Sequence, residues 1–240
     1  MREAYHLEAI YWQGMKRAIL LGLFLLAGGV SAQEWKALFN GKNLDGWEAK
    51  GDGHWTVLAG GILLGHPVSG AKNPFGPTWP IEEKQYLSWR QTQSWLYTAV
   101  EFGEYDLHVE YLTPAGGNSG VSIRDSTRGK YAYGPNPDYE KTPAHFGYEI
   151  QILSGVKTKY PSGSIYLFAP AEYGHEKVND WNALDIQSRN ENIRVTLNGH
   201  VVASHPGEAG RPKAGPIGLQ LHDRFNLIMF RNIKILEIKK

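Results

Sequence analysis

The segment 147–153, GYEIQIL, contains the two polar side chains that most strongly suggest chemistry in this sequence. It alternates polar and apolar residues, which predicts a β-strand that buries its tyrosine and both isoleucines on one face. Glu149 and Gln151 then project from the opposite face. A carboxylate in the middle of a strand is costly unless that face lines a wet cleft in which the charge has a task. We therefore expect Glu149 to lie in a functional cleft.

Two further runs, at 120–124 and 218–222, repeat this alternation and predict two more strands of the same kind. Their valine, isoleucine and leucine side chains point inward. The outward side chains are Ser122, Arg124, Gln220 and His222. If the three strands share a sheet, its outer face presents an acid, a guanidinium, an imidazole and two amides. This combination of groups is typical of a sugar-binding surface and can support catalysis.

Glu149, Arg124 and His222 are the candidate catalytic residues. Glu149 can transfer a proton, although a structural ion pair with Arg124 would also explain it. Arg124 can hold a developing oxyanion or clamp hydroxyls through its fork of donors, and an ion pair is its alternative role too. His222 can act as base, acid or metal ligand because its charge switches near neutral pH, whereas a lone histidine on a strand is often only hydrogen-bonded.

Seven polar residues are candidate substrate-binding groups. They are Gln151, Gln220, Asn118, Ser119, Ser122, Asn182 and Glu110. Asn118 and Ser119 follow two glycines in a predicted turn, whose amides can bind hydroxyls or an oxyanion, or can simply reverse the chain. Asn182 is expected at the start of a strand with its amide in the cleft. Glu110 and His108 share a polar strand face, which either extends the cleft or belongs to the other sheet.

Residues 1–32 are interpreted as an upstream start followed by a secretory signal peptide, which leaves 33–240 as one mature domain. The basic run 15–17 precedes an apolar run, 18–30, that is too short for a comfortable membrane span. The run ends in Val-Ser-Ala, which predicts cleavage directly after it. We therefore expect a periplasmic or secreted protein with no stable membrane span.

The composition excludes several classes of function. The formal net charge of the chain is +1, and removal of 1–32, with three basic and two acidic residues, leaves a neutral protein of about 208 residues. A neutral protein has no electrostatic attraction for nucleic acid or for an anionic membrane. The sequence has no cysteine, so disulfides and thiol catalysis are excluded.

Many short strands separated by turns predict an all-β sandwich or barrel. The clearest turn is Asn198-Gly199, which should close a hairpin between two apolar-alternating runs, 193–197 and 201–203. No amphipathic helix of useful length is expected after residue 33. The segments 66–96 and 126–146 are rich in proline, glycine and aromatic residues, which favours long loops that form a binding wall.

The mature sequence resembles the bacterial 3-keto-disaccharide hydrolase domain family along nearly its whole length. The matching motifs occur in the family's order at 35–47, 102–107, 116–121, 147–152, 163–166, 180–182, 197–199, 218–222 and 230–233. The sequence departs from the family after His222, where Asp223 and Arg224 stand in place of an early glycine, and this leaves the shape of that turn undecided. The resemblance implies a concanavalin A-like jelly-roll β-sandwich, export, and activity on glycosides that are oxidised at C3.

The residues favour a chemistry that differs from ordinary glycoside hydrolysis. An ordinary glycosidase needs two carboxylates at fixed separation, but Gln151 occupies the next position on the Glu149 face. A ketone at C3 acidifies the C2 hydrogen, so one base can form an enolate that expels the group on C1, and water can then add back. We expect Glu149, His222 and Arg124 to provide the base, the proton donor and the oxyanion stabiliser.

Two alternatives remain at this point. One is a carbohydrate-binding module without catalysis, because this fold also serves lectins, and the other is a two-carboxylate endo-glycanase. No cofactor is expected. A divalent metal held by Glu149, His222 and Glu110 would have suitable donor atoms, but no closely spaced ligand motif supports it.

Overall fold

The chain folds into two antiparallel β-sheets that pack face to face, as the sequence predicts. The computed structural model describes residues 33–67, 82–134 and 136–238, so the predicted signal peptide lies outside the described residues. The strands are β1 (Lys36–Ala37), β2 (Trp47–Lys50), β3 (His54–Leu58), β4 (Ile62–His66), β5 (Gln93–Thr98), β6 (Tyr105–Leu112), β7 (Asn118–Ile123), β8 (Tyr148–Leu153), β9 (Asn182–Arg189), β10 (Asn192–Leu197), β11 (His200–His205), β12 (Gly218–His222) and β13 (Ile228–Glu237).

The larger sheet has the order β11-β10-β9-β6-β13-β4-β3, with β1 paired to β13, and the smaller one has the order β2-β5-β12-β7-β8. The Asn198-Gly199 pair closes the β10–β11 hairpin, with both residues in the left-handed region at φ 50° and 85°, which confirms the predicted turn. Strands β7, β8 and β12 share the five-stranded sheet. The three strands that the sequence assigned to one polar face are therefore neighbours.

The two sheets differ in how their outer faces meet solvent. In β6, buried and half-buried residues alternate, so one face packs on the core and the other faces water. In β5, β8 and β12 almost every residue is buried, which means that both faces of the smaller sheet are covered. The inner face joins the apolar core, while the outer face is polar and lies beneath loops. This covered polar face positions the candidate site.

Short helices occur in both long loop regions, and one of them contradicts the sequence analysis. Helix α1 (Glu83–Arg90) forms where no useful helix was expected. The sequence did not predict it because its aromatic residues do not make a continuous apolar stripe. A 3-10 turn (Tyr139–Lys141) and the one-turn helix α2 (Pro143–Phe146) lie in the predicted loop 126–146. Among the described residues no helix is both long and apolar enough to cross a membrane.

Arg124 joins the two sheets instead of facing the predicted cleft. It follows the last residue of β7 in a left-handed conformation, φ 60°, which breaks the side-chain alternation of the strand. Its Nε and Nη2 donate to Ser188 Oγ on β9 at 3.0 and 2.7 Å, and its Nη1 donates to the Glu191 carbonyl at 3.0 Å. The expectation that Arg124 shares a face with Glu149 is therefore wrong.

We expect replacement of Arg124 by lysine to destabilise the fold by about 1–3 kcal/mol, because lysine keeps the charge but cannot reproduce three directed hydrogen bonds. Chemical denaturation measures the free energy of unfolding. The exposed Arg194 on β10, changed to lysine, is the matched control and should leave stability within about 0.5 kcal/mol. Equal stability of the Arg124→Lys and parent proteins would contradict this structural role.

Candidate active site

A polar cavity of about 280 Å³ opens on the outer face of the five-stranded sheet. Five of the predicted site residues line it: Glu149, Gln151, Gln220, His222 and Asn118. The other lining residues are Gln91, Gln93, Tyr139, Glu140, Thr142, His145, Tyr166 and Leu167. The cavity floor comes from strands β5, β7, β8 and β12, and its wall comes from the segments around residues 139–145 and 166–167.

Glu149 lies on the cavity floor with only 5 % of its surface exposed. In the register of β7 and β8 it is opposite Ser122, and Gly120 is opposite Gln151. A Cβ atom at Gly120 would lie 2.6 Å from Glu149 Oε1 and 3.0 Å from its Cγ. Any larger residue at this position would therefore displace the carboxyl group, so Gly120 provides the space that Glu149 occupies.

Burial raises the pKa of Glu149 to about 8, since the charged form loses its hydration. A hydrogen bond with the Gln220 side chain acts in the opposite direction, and the negative charge of Asp125 raises the pKa further. Asp125 is fully buried, and its carboxylate accepts hydrogen bonds from the Gly129 and Thr127 N–H groups at 2.9 Å and from the Tyr97 hydroxyl at 3.2 Å. Glu149 is thus mostly protonated at neutral pH.

Two cavity residues have their donor atoms fixed by neighbours. The Trp95 indole N–H donates to Gln93 Oε1 at 3.1 Å, which leaves the Gln93 amide N–H groups for the cavity. The backbone N–H of Thr142 donates to His145 Nδ1 at 3.2 Å in a capping box. Because Nδ1 accepts this bond, Nε2 is the ring nitrogen left to act as a donor.

Three buried polar atoms of the cavity have no partner among the described residues. They are Asn118 Oδ1, Gln220 Oε1 and His222 Nδ1. His222 Nδ1 lies 3.7 Å from Asp223 Oδ2, and the two groups form an ion pair when the ring is protonated. Buried polar atoms are normally satisfied, so these atoms are suited to a ligand that offers hydroxyl groups.

Tyr166 and Glu140 are functional candidates that the sequence analysis missed. Tyr166 is half-buried in the cavity wall, and its pKa is raised by burial and by the charges of Glu149, Tyr160 and Glu140. Leu167 beside it adopts φ 72°, an uncommon backbone conformation for a leucine. Both Glu140 and His145 belong to the 126–146 loop, which was expected to form a binding wall without assigned residues.

Two predicted substrate-binding residues of β7 are buried beneath the cavity and do not line it. Ser119 points into the sandwich, and its hydroxyl donates to the Gln220 carbonyl at 2.7 Å. Ser122 is on the Glu149 side of the sheet but has no exposed surface. Ser119 thereby holds β7 against β12, and neither serine is part of the cavity lining.

Asn182 and Glu110 lie on the eight-stranded sheet, so neither binds substrate in the cleft as proposed, and of the two places left open for Glu110 the structure has the other sheet. The Asn182 side chain accepts from the Lys177 N–H at 2.7 Å and donates to the Lys177 carbonyl at 2.8 Å, which organises the loop before β9. Glu110 accepts from Arg231 Nε at 2.6 Å on the solvent face. The sequence pattern does not state which sheet a strand joins, and this produced both errors.

The metal arrangement that the sequence suggested does not form. Glu149 and His222 share the cavity, but Glu110 is on the other sheet. The described part of the chain has no group of three or more histidine, aspartate or glutamate side chains placed to hold a metal ion.

The raised pKa of Glu149 makes folding stability fall as pH increases. Between pH 4.5 and about 8 the unfolded carboxyl loses its proton while the folded one keeps it, so the free energy of unfolding decreases by on the order of 5 kcal/mol across this interval. We expect Glu149→Gln to equal the parent at pH 4 and to be more stable by several kcal/mol at pH 8.5. Urea denaturation at both pH values measures this.

The exposed Glu101, changed to glutamine, provides the control for a general loss of one charge. It should leave the difference in unfolding free energy between pH 4 and 8.5 the same as in the parent. If the change in unfolding free energy between pH 4 and 8.5 were the same in Glu149→Gln as in the parent, the carboxyl would not be buried as described.

The sequence and the fold are similar to those of known proteins. The family model of the 3-keto-alpha-glucoside-1,2-lyase-like domain matches residues 34–236. Two crystal structures of candidate glycosyl hydrolases from Parabacteroides distasonis ATCC 8503 are similar, both with a TM-score of 0.60. The first is 24% identical and the match covers 85% of this chain and 100% of that one; the second is 19% identical, with 90% and 99% covered.

A Bacillus subtilis protein of unknown function with a galectin-like fold is 10% identical, with a TM-score of 0.55 and coverage of 85% and 94%. These structural similarities establish the fold, which is a β-sandwich of the concanavalin A type. No significant match to a curated protein was found. Because the family model extends over nearly all of the described residues, the chain belongs to the family of 3-keto-alpha-glucoside-1,2-lyase-like domains.

Proposed function

We propose that this protein is an exported enzyme that cleaves 3-keto-glycosides by elimination across C1 and C2, with Glu149 as the base. The observation that supports this most strongly is the carboxyl of Glu149, buried on the floor of a polar cavity with its pKa raised to about 8. The ionised fraction of Glu149 grows as the pH approaches 8, and this carboxylate takes a proton from carbon more readily than an ordinary one. Family membership supports the substrate class.

The reaction begins at C2 of the oxidised ring. Glu149 takes the C2 proton, and the electron pair passes into the C3 carbonyl to give an enolate. The enolate then re-forms the carbonyl, a C1–C2 double bond forms, and the C1–oxygen bond breaks with its electrons on the leaving oxygen. That oxygen takes a proton and departs as an alcohol. Addition of water to C1, with a proton returned to C2, would give net hydrolysis.

The cavity has suitable groups for the remaining tasks. The N–H groups of Gln93 and His145 are fixed donors that can stabilise the enolate oxygen, a role that Arg124 cannot fill from its place between the sheets. We assign proton donation at the leaving oxygen to His222, because its imidazole lines the cavity and an imidazole can exchange a proton near neutral pH. Asn118 and Gln220 supply acceptors for sugar hydroxyls.

Two other functions are testable with the same substrates. A carbohydrate-binding module would hold the sugar without turnover. A two-carboxylate glycosidase is favoured by one observation, which is that Glu140 lines the cavity together with Glu149. It would cleave the unoxidised glycoside. Export is part of our proposal and is supported by the signal-like sequence at 15–32.

We expect turnover of a 3-keto-disaccharide and none of its unoxidised parent sugar, measured by chromatography of the products. Glu149→Gln should reduce kcat/KM by at least about a thousandfold, since no amide can accept the C2 proton. Glu110→Gln on the opposite sheet is the matched control and should stay within about twofold of the parent enzyme. Cleavage of the unoxidised sugar, or an active Glu149→Gln enzyme, would overturn the proposal.

The elimination route makes a separate prediction about isotopes. In deuterated water, any product formed by elimination and rehydration acquires deuterium at C2, because that proton is exchanged with solvent during the reaction. Proton NMR of the released 3-keto-sugar measures the label, and a substrate sample without enzyme corrects for spontaneous exchange. Product with protium retained at C2 would exclude an enolate whose C2 proton exchanges with solvent.

A further inference from the structure

Three aromatic side chains, here called the rim aromatics, lie together beside the cavity: Tyr86 and Trp89 of α1, and Phe225 after β12. The ring centroid of Trp89 is 5.9 Å from that of Tyr86 and 5.9 Å from that of Phe225, and the second pair is nearly perpendicular at 80°. Phe225 is 65 % exposed and Tyr86 is 40 % exposed. The cluster therefore presents ring surface to solvent.

The rim aromatics are close in the chain to residues that line the cavity, although none of the three is itself a lining residue. Gln91, which directly follows α1, and His222, which ends β12, both line it. The Arg224 N–H donates to the Arg90 carbonyl at 3.0 Å, which joins the end of α1 to the loop that contains Phe225. The aromatic surface thus borders the end of the cavity that is formed by β5 and β12.

The loop that presents Phe225 is held in place by polar contacts. Asp223 adopts φ 62°, and its Oδ1 accepts the N–H groups of Phe225 at 2.8 Å and Asn226 at 3.1 Å. This is the turn whose shape the departure from the family left undecided. The Asn226 amide donates to the Asn118 carbonyl at 2.8 Å. Arg224 forms an ion pair with Asp52 and lies 5.7 Å over the Trp89 ring.

A firmly held loop that exposes a phenyl ring indicates a binding role. Exposed phenyl surface is unfavourable in water, and the polar contacts above hold the loop without using that ring. Aromatic rings bind flat, partly apolar partners by stacking. The C–H-rich face of a pyranose is such a partner, and the amide of Gln91, which lines the neighbouring cavity, can bind its hydroxyls.

The width of the cavity floor indicates which ring of a disaccharide the rim aromatics would bind. Glu149 is on β8 and Gln93 is on β5, with β7 and β12 between them, so roughly 14 Å separate the two ends of the floor. This exceeds the width of one pyranose ring. The ring that places C2 at Glu149 is bonded to its neighbour through C1, so the second ring is the leaving group.

We propose that the rim aromatics form the subsite for the leaving-group sugar of a 3-keto-disaccharide, an inference that rests on the proposed cleavage. The test compares kcat/KM for a 3-keto-disaccharide with kcat/KM for the 3-keto methyl glucoside, whose leaving group is too small to reach the rim. The ratio is kcat/KM for the disaccharide divided by kcat/KM for the methyl glucoside. In Phe225→Ala we expect this ratio to fall about three- to tenfold, the equivalent of one lost aromatic stack.

The matched control is Tyr173→Ala, which removes another exposed aromatic ring, 50 % exposed and outside the cavity lining. It should leave the ratio unchanged. An unchanged ratio in Phe225→Ala would overturn the subsite. A 3-keto aryl glucoside is a further substrate, and a loss in the variant with this substrate but not with the disaccharide would also overturn it, because the rim would then bind a different group. Thermal melting of each variant verifies that it is folded.

Failure of the proposed function gives a different result. If the parent protein turns over neither substrate, the cleavage proposal fails and the subsite is tested by calorimetric titration with the unoxidised disaccharide and monosaccharide. Tighter binding of the disaccharide that Phe225→Ala removes would preserve a saccharide subsite. Equal binding of the two sugars, or no loss in the variant, would refute it.

Discussion

The burial of one carboxyl group, that of Glu149, is the constraint on which the site depends. Desolvation disfavours the ionised form, which lowers stability at alkaline pH. The charge of Asp125 adds to this cost, and the hydrogen bond with Gln220 offsets only part of it. Gly120 leaves space for the group, Gln220 bonds to it, and Asp125 adds a negative charge that opposes its ionisation. Replacement of Glu149 by an apolar residue would remove this desolvation cost, so the presence of a carboxyl group here indicates function.

The β-sandwich makes such a site rigid. The inner face of the five-stranded sheet packs Val121, Ile150 and Leu219 into the core, which fixes the strands that carry the polar residues on the other face. Because side chains alternate along a strand, a well-packed core also fixes the positions of Glu149 and Gln220. The covering loops contribute His145 and Tyr166 to the wall. Packing on one side of the sheet thus sets the geometry for chemistry on the other.

Much of the floor could be predicted from the sequence and much of the wall could not. The period of two along three strands placed Glu149, Gln151, Gln220 and His222 on the floor, since neighbouring antiparallel strands share their faces. Asn118 was expected in a turn and is instead the first residue of β7. The period failed at Arg124, where a left-handed residue ends the strand, and at Asn182 and Glu110, whose strands belong to the other sheet. Sheet membership is a non-local property. The wall residues Glu140 and His145 lie in a segment without periodicity, where no pattern reports side-chain direction. Tyr166 lies in an alternating run, 164–168, that forms a turn and not a strand.

The most direct test of this account is a carbon-13 NMR titration of the Glu149 side-chain carboxyl in the folded protein, with the Glu149→Gln variant used to assign the signal. The account predicts a midpoint near pH 8, because the cavity floor holds the carboxyl in its neutral form. A midpoint near 4.5, the ordinary value for glutamate, would show a hydrated carboxylate and would contradict both the geometry of the site and the base that we assign to it.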